Sequence, residues 1–503
     1  MGPTLSADRR DVRLAVIGAG FSGITVGLRL LATGLNDFVI LERADVVGGV
    51  WRDNTYPGVA VDTPSAIYSL STHPNPRWSR SYGLGSEIFE YTRDLARTGG
   101  LEPHFRFGHD VLSAAWDPDA NRWVIETSKG TYRARFLVSA AGLVADPSYP
   151  DVPGLSTFPG PCFHSSRWDH SLDLKGQRVA VVGTGASAVQ FVPAIAPEVA
   201  QLHVLQRTAS WVLPKTDHTR SAKSKKLRAA VPAVMHAERA VTSLLTEVFA
   251  SARRFQVLRK FMESVCLKHL ERQVANPKLR AKLTPDFWYM CKRPLISNDY
   301  LPTFNRQNVT LHTGGLVAVE GNVVVAGDGT RTEVDILILN TGFEIGITSP
   351  IARLIRGVGQ LLADYWGDDP RAYKGISVPG FPNLFMMQGP NASSGVSSAL
   401  VFAEAQARYI ADAMRRFASD DIAVAQVSEE AEREWTSRIR KLSGKTSYEL
   451  GGCRSYYQNR KGQNVVMWPG FTPSYQLSTR TFDPGVYRLT PAEELAPSAG
   501  RAS

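Results

Sequence analysis

Cysteine is scarce. Only Cys162, Cys266, Cys291 and Cys453 occur in 503 residues, and none is in C-x-x-C spacing. The sequence therefore indicates neither a disulfide framework nor a dithiol redox centre, and fits a reducing cytoplasm. A long unbroken apolar run is missing too. Charge-free Gly375 to Ala403 has the length to span a bilayer, but Pro379, Pro382, Pro390 and several Gly and Asn break it, so no transmembrane segment is expected. The strand pattern begins at Val12, which leaves no room for a signal peptide. Met1 to Ser6 has the outline of an acylation motif, yet Pro3 spoils it and an idle tail is expected. No module that reads nucleic acid is present, and no metal ligand set is assigned.

What is present is ordinary for a soluble globular chain, 43% hydrophobic and 21% charged, with length enough for two or three domains. The net charge of +10 is unevenly spread: Lys215 to Pro285 holds 16 Lys and Arg against 5 Asp and Glu. That stretch reads as a solvated helical face, as a device steering an anionic cofactor, or as a contact for an acidic surface.

Val12–Ile17 runs apolar into Gly18-Ala19-Gly20-Phe21-Ser22-Gly23, then a helical pattern to about Leu31, then a strand Phe38–Leu41 that ends at Glu42. This is a complete dinucleotide fingerprint. Gly18 makes the turn, Gly20 lets a pyrophosphate approach, Gly23 lets helix pack on strand, and Glu42 meets a ribose hydroxyl. The pattern returns at Val179–Val182, Gly183-Thr184-Gly185-Ala186-Ser187-Ala188, a helix to about Ala196, and a strand Leu202–Gln206 that ends at Arg207. Glu42 follows Gly18 by 24 positions and Arg207 follows Gly183 by 24. Equal offsets with opposite charges imply different dinucleotides, since a plain ribose suits a carboxylate and a 2′-phosphate suits a guanidinium. The first site is expected to take FAD, the second NADPH.

Each copy continues into a hairpin and a strand that closes on glycine: Trp123–Thr127, Thr131–Arg133 and Leu137–Gly142, then Val323–Val325, Thr330–Glu333 and Ile336–Gly342. The fold class is therefore α/β with two Rossmann-like dinucleotide-binding domains of one ancestry. Between Leu213 and about Pro285 the period becomes helical, with Val241, Leu244, Leu245 and Val248 on one stripe and Leu258, Met262 and Val265 on another. These stripes are expected to be core, in an insert that covers the NADPH domain. A strand Leu384–Met387, a Gly389-Pro390-Asn391 turn and a helix from about Ser394 to Arg416 follow, expected to return to the FAD domain with the helix start near the flavin. The domains then run 1–145 with 376–503 for FAD, 146–212 with 286–375 for NADPH, and 213–285 for the insert.

Three further segments carry a resemblance. Gly48-Gly49-Val50-Trp51 is followed by Tyr56-Pro57-Gly58 and Asp62; Phe158-x-Gly160-x-x-x-His164-x-x-x-Trp168-Asp169 precedes the second fingerprint; Cys291-Lys292-Arg293-Pro294 follows the insert. In this order, over about Leu14 to Phe471, they resemble the signatures of type I Baeyer–Villiger monooxygenases. Heteroatom-oxidising flavin monooxygenases are similar up to the histidine but usually carry another aromatic where Trp168-Asp169 stands.

The resemblance implies an enzyme that uses FAD, NADPH and O2 to turn a ketone into an ester or lactone through a flavin peroxide. Arg293 would be catalytic, because a guanidinium stabilises a peroxide and a tetrahedral oxyanion without being a plausible proton donor. Asp62 would be its counter-charge and hold it over the flavin. Lys292 and Arg207 would grip the 2′-phosphate with Thr208 adding a hydroxyl, and Gly49, Trp51 and Tyr68 would lie at the flavin. His164 would couple the domains rather than transfer a proton.

Tyr456 stands where many relatives have a tryptophan, Ala60 where an arginine is common, and Ala188 where the fingerprint ends in glycine. The first two set this chain apart from those relatives near the substrate pocket, whose walls are expected from the insert and the Gly389 to Ser394 loop. N- or S-oxygenation of a soft nucleophile is the alternative. A disulfide reductase lacks its dithiol, and a non-catalytic flavin-binding scaffold leaves the basic cofactor contacts unexplained.

Overall fold

The computed structural model describes residues 10–346, 349–395 and 397–495. The Met1 to Ser6 segment lies outside them. Both fingerprints are built from the same three parallel strands. In the first, Asp11–Ile17 pairs with Phe38–Glu42 on one side and Gly130–Ser139 on the other. In the second, Arg178–Val182 pairs with Gln201–Gln206 and with Ile336–Leu339. Each central strand is buried almost continuously, as it must be in a sheet covered on both faces. Leu14 and Val16 join one apolar cluster while Val12, Ala15 and Ile17 join another, and Val179 and Val181 separate from Ala180 and Val182 in the same way.

The first sheet has eight strands. From one edge it runs Ile355–Arg356, Val111–Asp117, Arg122–Thr127, Gly130–Ser139, Asp11–Ile17, Phe38–Glu42 and Phe105–Phe107, with Leu384–Met386 also pairing with Gly130–Ser139. The second has five, all parallel: Val309–Thr313, Gln201–Gln206, Arg178–Val182, Ile336–Leu339 and Cys162–His164. The first copy's expected Thr131–Arg133 and Leu137–Gly142 are one strand, Gly130–Ser139. Its Tyr132, Ala134 and Phe136 are fully buried, so nothing favours a break.

After the second sheet the chain returns to the first. Helix Ala399–Ser419 packs on Phe21–Ala32, and Leu400, Phe402 and Ala403 join Ile24, Val26 and Leu30 in one cluster. This helix starts at Ala399 rather than Ser394, because the Ser398 hydroxyl caps it by accepting from the Leu400 N–H at 3.2 Å.

Two expectations are corrected. Cys291 and Cys453 form a disulfide, with Cα atoms 6.0 Å apart and a sequence separation of 162. No spacing rule reaches that far. The two meet because the segment 447–453 folds under 287–291, where the Trp288 N–H donates to the Gly451 carbonyl at 2.9 Å and Tyr289, Met290, Tyr448 and Tyr457 share a buried cluster. The second correction concerns the insert, whose helices are Ala222–Ala230, Pro232–Ala250, Gln256–Gln273 and Pro277–Leu283. Met262 is buried, but Val241, Leu244, Leu245 and Val248 face solvent. The polar side of that helix is the one turned inward.

Candidate active site

Gly18 and Gly183 occupy the same place in their copies. Both have left-handed backbones, φ +98° and +100°. A Cβ on Gly18 would lie 2.7 Å from the Ala140 carbonyl oxygen, and one on Gly183 2.4 Å from that of Asn340. Only glycine satisfies both demands, so the tight turn that opens each helix start to a phosphate is fixed by sequence. Gly20 faces Gly49, and Gly23 is buried in the first turn of the helix.

Glu42 is buried at the first helix start. It accepts from the Ala19 and Ala44 N–H groups at 2.9 and 3.0 Å, and from Arg52 at 3.0 Å. Three of about four lone-pair positions of its carboxylate are used, which leaves one for a ribose hydroxyl. Arg52, which also bonds Asp53, escaped the sequence reading; its only signal is its place directly after Trp51.

At the second fingerprint Gly185 is exposed, Ser187 stands at the N-cap of Ala188–Ile195 without a capping bond, and the Thr184 hydroxyl donates to the Thr208 carbonyl at 3.3 Å. Arg207 is exposed and Lys292, on a distant segment, lies near it. Burial and the Arg207 charge lower the Lys292 pKa, with Asp286 opposing. Two cations held this close disfavour each other until an anion bridges them. That is what a 2′-phosphate would do.

Asp62 and Arg293 form an ion pair. Burial works against the charge on Arg293, but Asp62, with Tyr457, Tyr456 and Tyr68, outweighs it and holds the arginine pKa above its ordinary value. Arg293 is therefore a fixed cation. Tyr68 accepts from Trp51 Nε1 at 2.9 Å, and its ring meets Trp51 and Phe21 edge-on at 5.5 and 5.8 Å. Burial raises the Tyr68 pKa, so its hydroxyl stays protonated. Across from these rings, the disulfide draws 453–457 onto the segment that carries Lys292 and Arg293; Tyr457 is buried and Tyr456 exposed. The pairing of Cys453 with Cys291 thus sets which aromatic groups surround the arginine.

Gln190 was not anticipated either. From helix Ala188–Ile195 its side chain accepts from the Tyr56 hydroxyl and the Ala60 N–H at 3.1 Å each and donates to the Ala60 carbonyl at 2.9 Å. Trp168 packs on Phe191 of that helix, and Phe191 on Tyr56. The end of the Phe158 to Asp169 segment is thus packing that joins the two sheet units. Asp169 only closes a turn onto Ser171. His164 is buried between Tyr149 and Phe343, and burial takes its pKa down to about 4. It is neutral at pH 7.

An open cleft of about 510 Å³ lies between the units, with Gly58 and Asp62 on one wall and Gln190, Lys215 and Arg306 on the other. A separate small apolar cavity of about 40 Å³ is lined by Leu143, Ile345, Trp366, Met387, Gly389 and Pro390 among others. Gly389 and Pro390 line this cavity and no residue of 213–285 does, whereas Lys215 of the insert lines the open cleft.

A family model described as pyridine nucleotide-disulphide oxidoreductase matches residues 15–238. A Baeyer-Villiger monooxygenase of Streptomyces coelicolor is 42% identical over 481 residues, 95% of this chain and 92% of that protein. Another, of Pseudomonas aeruginosa, is 37% identical over 492 residues, 97% and 93% of the two chains. The crystal structure of cyclohexanone monooxygenase from Rhodococcus sp. Phi1 bound to NADP+ superposes with a TM-score of 0.85 at 28% identity, covering 96% of this chain and all (100%) of that one. Oxidized steroid monooxygenase bound to NADP does so at 0.83 and 27%, covering 93% and 97%. With fold, both fingerprints and near full-length identity in agreement, this chain belongs to the Baeyer–Villiger monooxygenases.

Proposed function

We propose that the chain is an FAD- and NADPH-dependent monooxygenase that inserts one atom of O2 beside a ketone carbonyl to give an ester or lactone. The observation that carries this reading is the Arg293–Asp62 pair, a permanent cation held beside Trp51 and Tyr68 at an open cleft.

Gly18, Gly20, Gly23, Glu42, Gly49, Trp51 and Tyr68 would hold the FAD, and Gly183, Gly185, Ser187, Arg207, Thr208 and Lys292 the NADPH. Bound there, FAD would supply the redox chemistry that couples NADPH oxidation to the activation of O2. Arg293 stabilises negative charge on oxygen, first on the attacking group and then on the former carbonyl oxygen, and its high pKa prevents it from quenching either with a proton. Asp62 fixes its direction and balances its charge. Lys292 and Arg207 select the phosphorylated dinucleotide, since without a phosphate they only repel.

The sheets support FAD-binding 1–145 with 376–503, NADPH-binding 146–212 with 286–375, and an insert at 213–285. Among the described residues no helix is long and apolar enough to cross a membrane. We assign the enzyme to the cytoplasm because it needs NADPH; the Cys291–Cys453 bond is unusual for that compartment.

The test is turnover of a panel of ketones and thioethers under oxygen-18 gas. A labelled product that hydrolyses as an ester supports the reading. Labelled sulfoxide alone would move the assignment to heteroatom oxygenation, and NADPH loss without product oxygen to a reductase or oxidase.

A further inference from the structure

The insert helix Pro232–Ala250 is inside out. Its exposed positions are Pro232, Ala233, His236, Ala237, Ala240, Val241, Leu244, Leu245, Val248 and Phe249, and none is Asp, Glu, Lys or Arg. Leu244 is 67% and Val241 59% exposed. The three acidic and basic side chains of the helix all point inward and are engaged. Glu238 pairs with Arg220 at 2.6 Å and Arg228 at 3.0 Å, Arg239 with Glu404 at 2.9 Å, and Glu247 accepts from the Thr472 N–H at 3.2 Å. An apolar stripe five residues wide with no charge on it is costly in water and marks a surface that something covers.

The surroundings say what. Helix Ala222–Ala230 packs beside this one, and its exposed charges are Lys223 and Lys226. Exposed Lys260 and Lys268 follow on Gln256–Gln273, and Phe255, Val257 and Phe261 are exposed among them. The stretch 215–285 carries 16 basic against 5 acidic residues, while the remainder of the chain is almost neutral. A second copy seated on this face would bring two such basic inserts together across a two-fold axis, which charge opposes. An anionic lipid surface meets both demands, burying the stripe and neutralising the lysines.

We propose that the hairpin Ala222–Ala250 docks this enzyme on the surface of an anionic bilayer, with the longer helix lying flat and Val241, Leu244, Leu245, Val248 and Phe249 entering the boundary between headgroups and acyl chains. At 1.5 Å per residue the stripe-bearing helix is about 28 Å long. The contact is peripheral. It is independent of the reaction assigned above.

The test is sedimentation of the FAD-loaded protein with vesicles of phosphatidylcholine alone or with about 30 mol% phosphatidylglycerol. Binding to the anionic vesicles is expected to exceed that to the neutral ones about tenfold and to fall when salt is raised, because exposed charges are screened. Leu244→Glu with Val248→Glu should cut it by about tenfold or more, with flavin absorbance and NADPH oxidation unchanged. Lys223→Glu with Lys226→Glu should remove the preference for anionic lipid, and it touches no apolar packing. Equal recovery with and without vesicles overturns the proposal. So does unaltered binding by both variants. A concentration-dependent dimer in lipid-free buffer that the Leu244→Glu, Val248→Glu variant dissolves would assign the face to a second copy instead.

Discussion

Arg293 donates through Nη2 to Oδ1 of Asp62, a residue 231 positions earlier in the chain. The bond joins the segment after the insert to the loop after the first fingerprint. Replacing Arg293 by Ala removes the cation that Asp62 holds in place to stabilise an oxyanion there. Oxygenated product should fall about 100-fold or more, while the rate of flavin bleaching by NADPH stays within about twofold. Stopped-flow absorbance and product yield separate the two, and a variant that still forms ester at the normal rate removes Arg293 from the reaction.

Arg207→Ala and Lys292→Ala should each raise the KM for NADPH about 10- to 100-fold with little change for NADH, the worth of one charge-assisted bond to a phosphate. The Lys292 pKa is lowered by burial and by Arg207. KM for NADPH should therefore begin to climb with pH below the ordinary lysine range, and the climb should vanish in Lys292→Ala. An identical pH profile for the variant would contradict this.

His164 gives a stability prediction with a definite sign. Its folded pKa of about 4 lies below the unfolded value of 6.5, so between these the unfolded chain binds more protons. The stability it contributes is whole above pH 6.5 and is lost as pH falls towards 4, by up to about 3 kcal/mol. His203, also at about 4 through burial and its neighbour His312, acts in the same direction. Melting temperature should drop between pH 7 and 4, and less steeply in His164→Gln. Parallel curves would show that His164 titrates normally.

Reducing the Cys291–Cys453 bond, or replacing Cys453 by Ser, should destabilise the protein by about 2–5 kcal/mol, since the tie closes a long loop. Tyr456 and Tyr457 should loosen from Arg293, so that the fraction of NADPH consumption ending in ester falls while NADPH binding is little changed. Thermal melts with and without a dithiol, together with peroxide release, measure both.

Gln190→Ala should leave Tyr56 and the Ala60 backbone without their partner, at a cost of about 1–3 kcal/mol. Because that side chain fixes the approach to Asp62, peroxide release should also rise. A melting curve and an uncoupling ratio equal to the parent's would reduce Gln190 to an ordinary surface contact.

What could be read from the chain alone was whatever is written locally. The two fingerprints are strings of neighbours whose glycines answer to backbone sterics, so Gly18 and Gly183 could be placed without a structure. Equal offsets to Glu42 and Arg207 announced the repeat. Helical period in 232–250 was equally plain, but period tells only that a helix has two faces, not which one meets the protein. There the ion pairs of Glu238 and Arg239 with residues outside the helix, one of them Glu404 from the far end of the chain, decided the matter. The union of Cys291 with Cys453 and the grip of Gln190 on Ala60 are likewise products of long-range folding that leave no mark in spacing.

The disulfide bears on how this enzyme could be recombined with its relatives. Its reacting centre draws on three separate stretches: Asp62, Lys292 with Arg293, and the loop from Cys453 to Tyr457. None of them is a fingerprint, and the second and third are covalently one piece. A chimaera that trades a whole nucleotide-binding unit at its sheet boundaries would separate partners that touch one another here. The exchangeable module is the stitched pair of loops, which should be moved as a unit and with the aspartate that faces it.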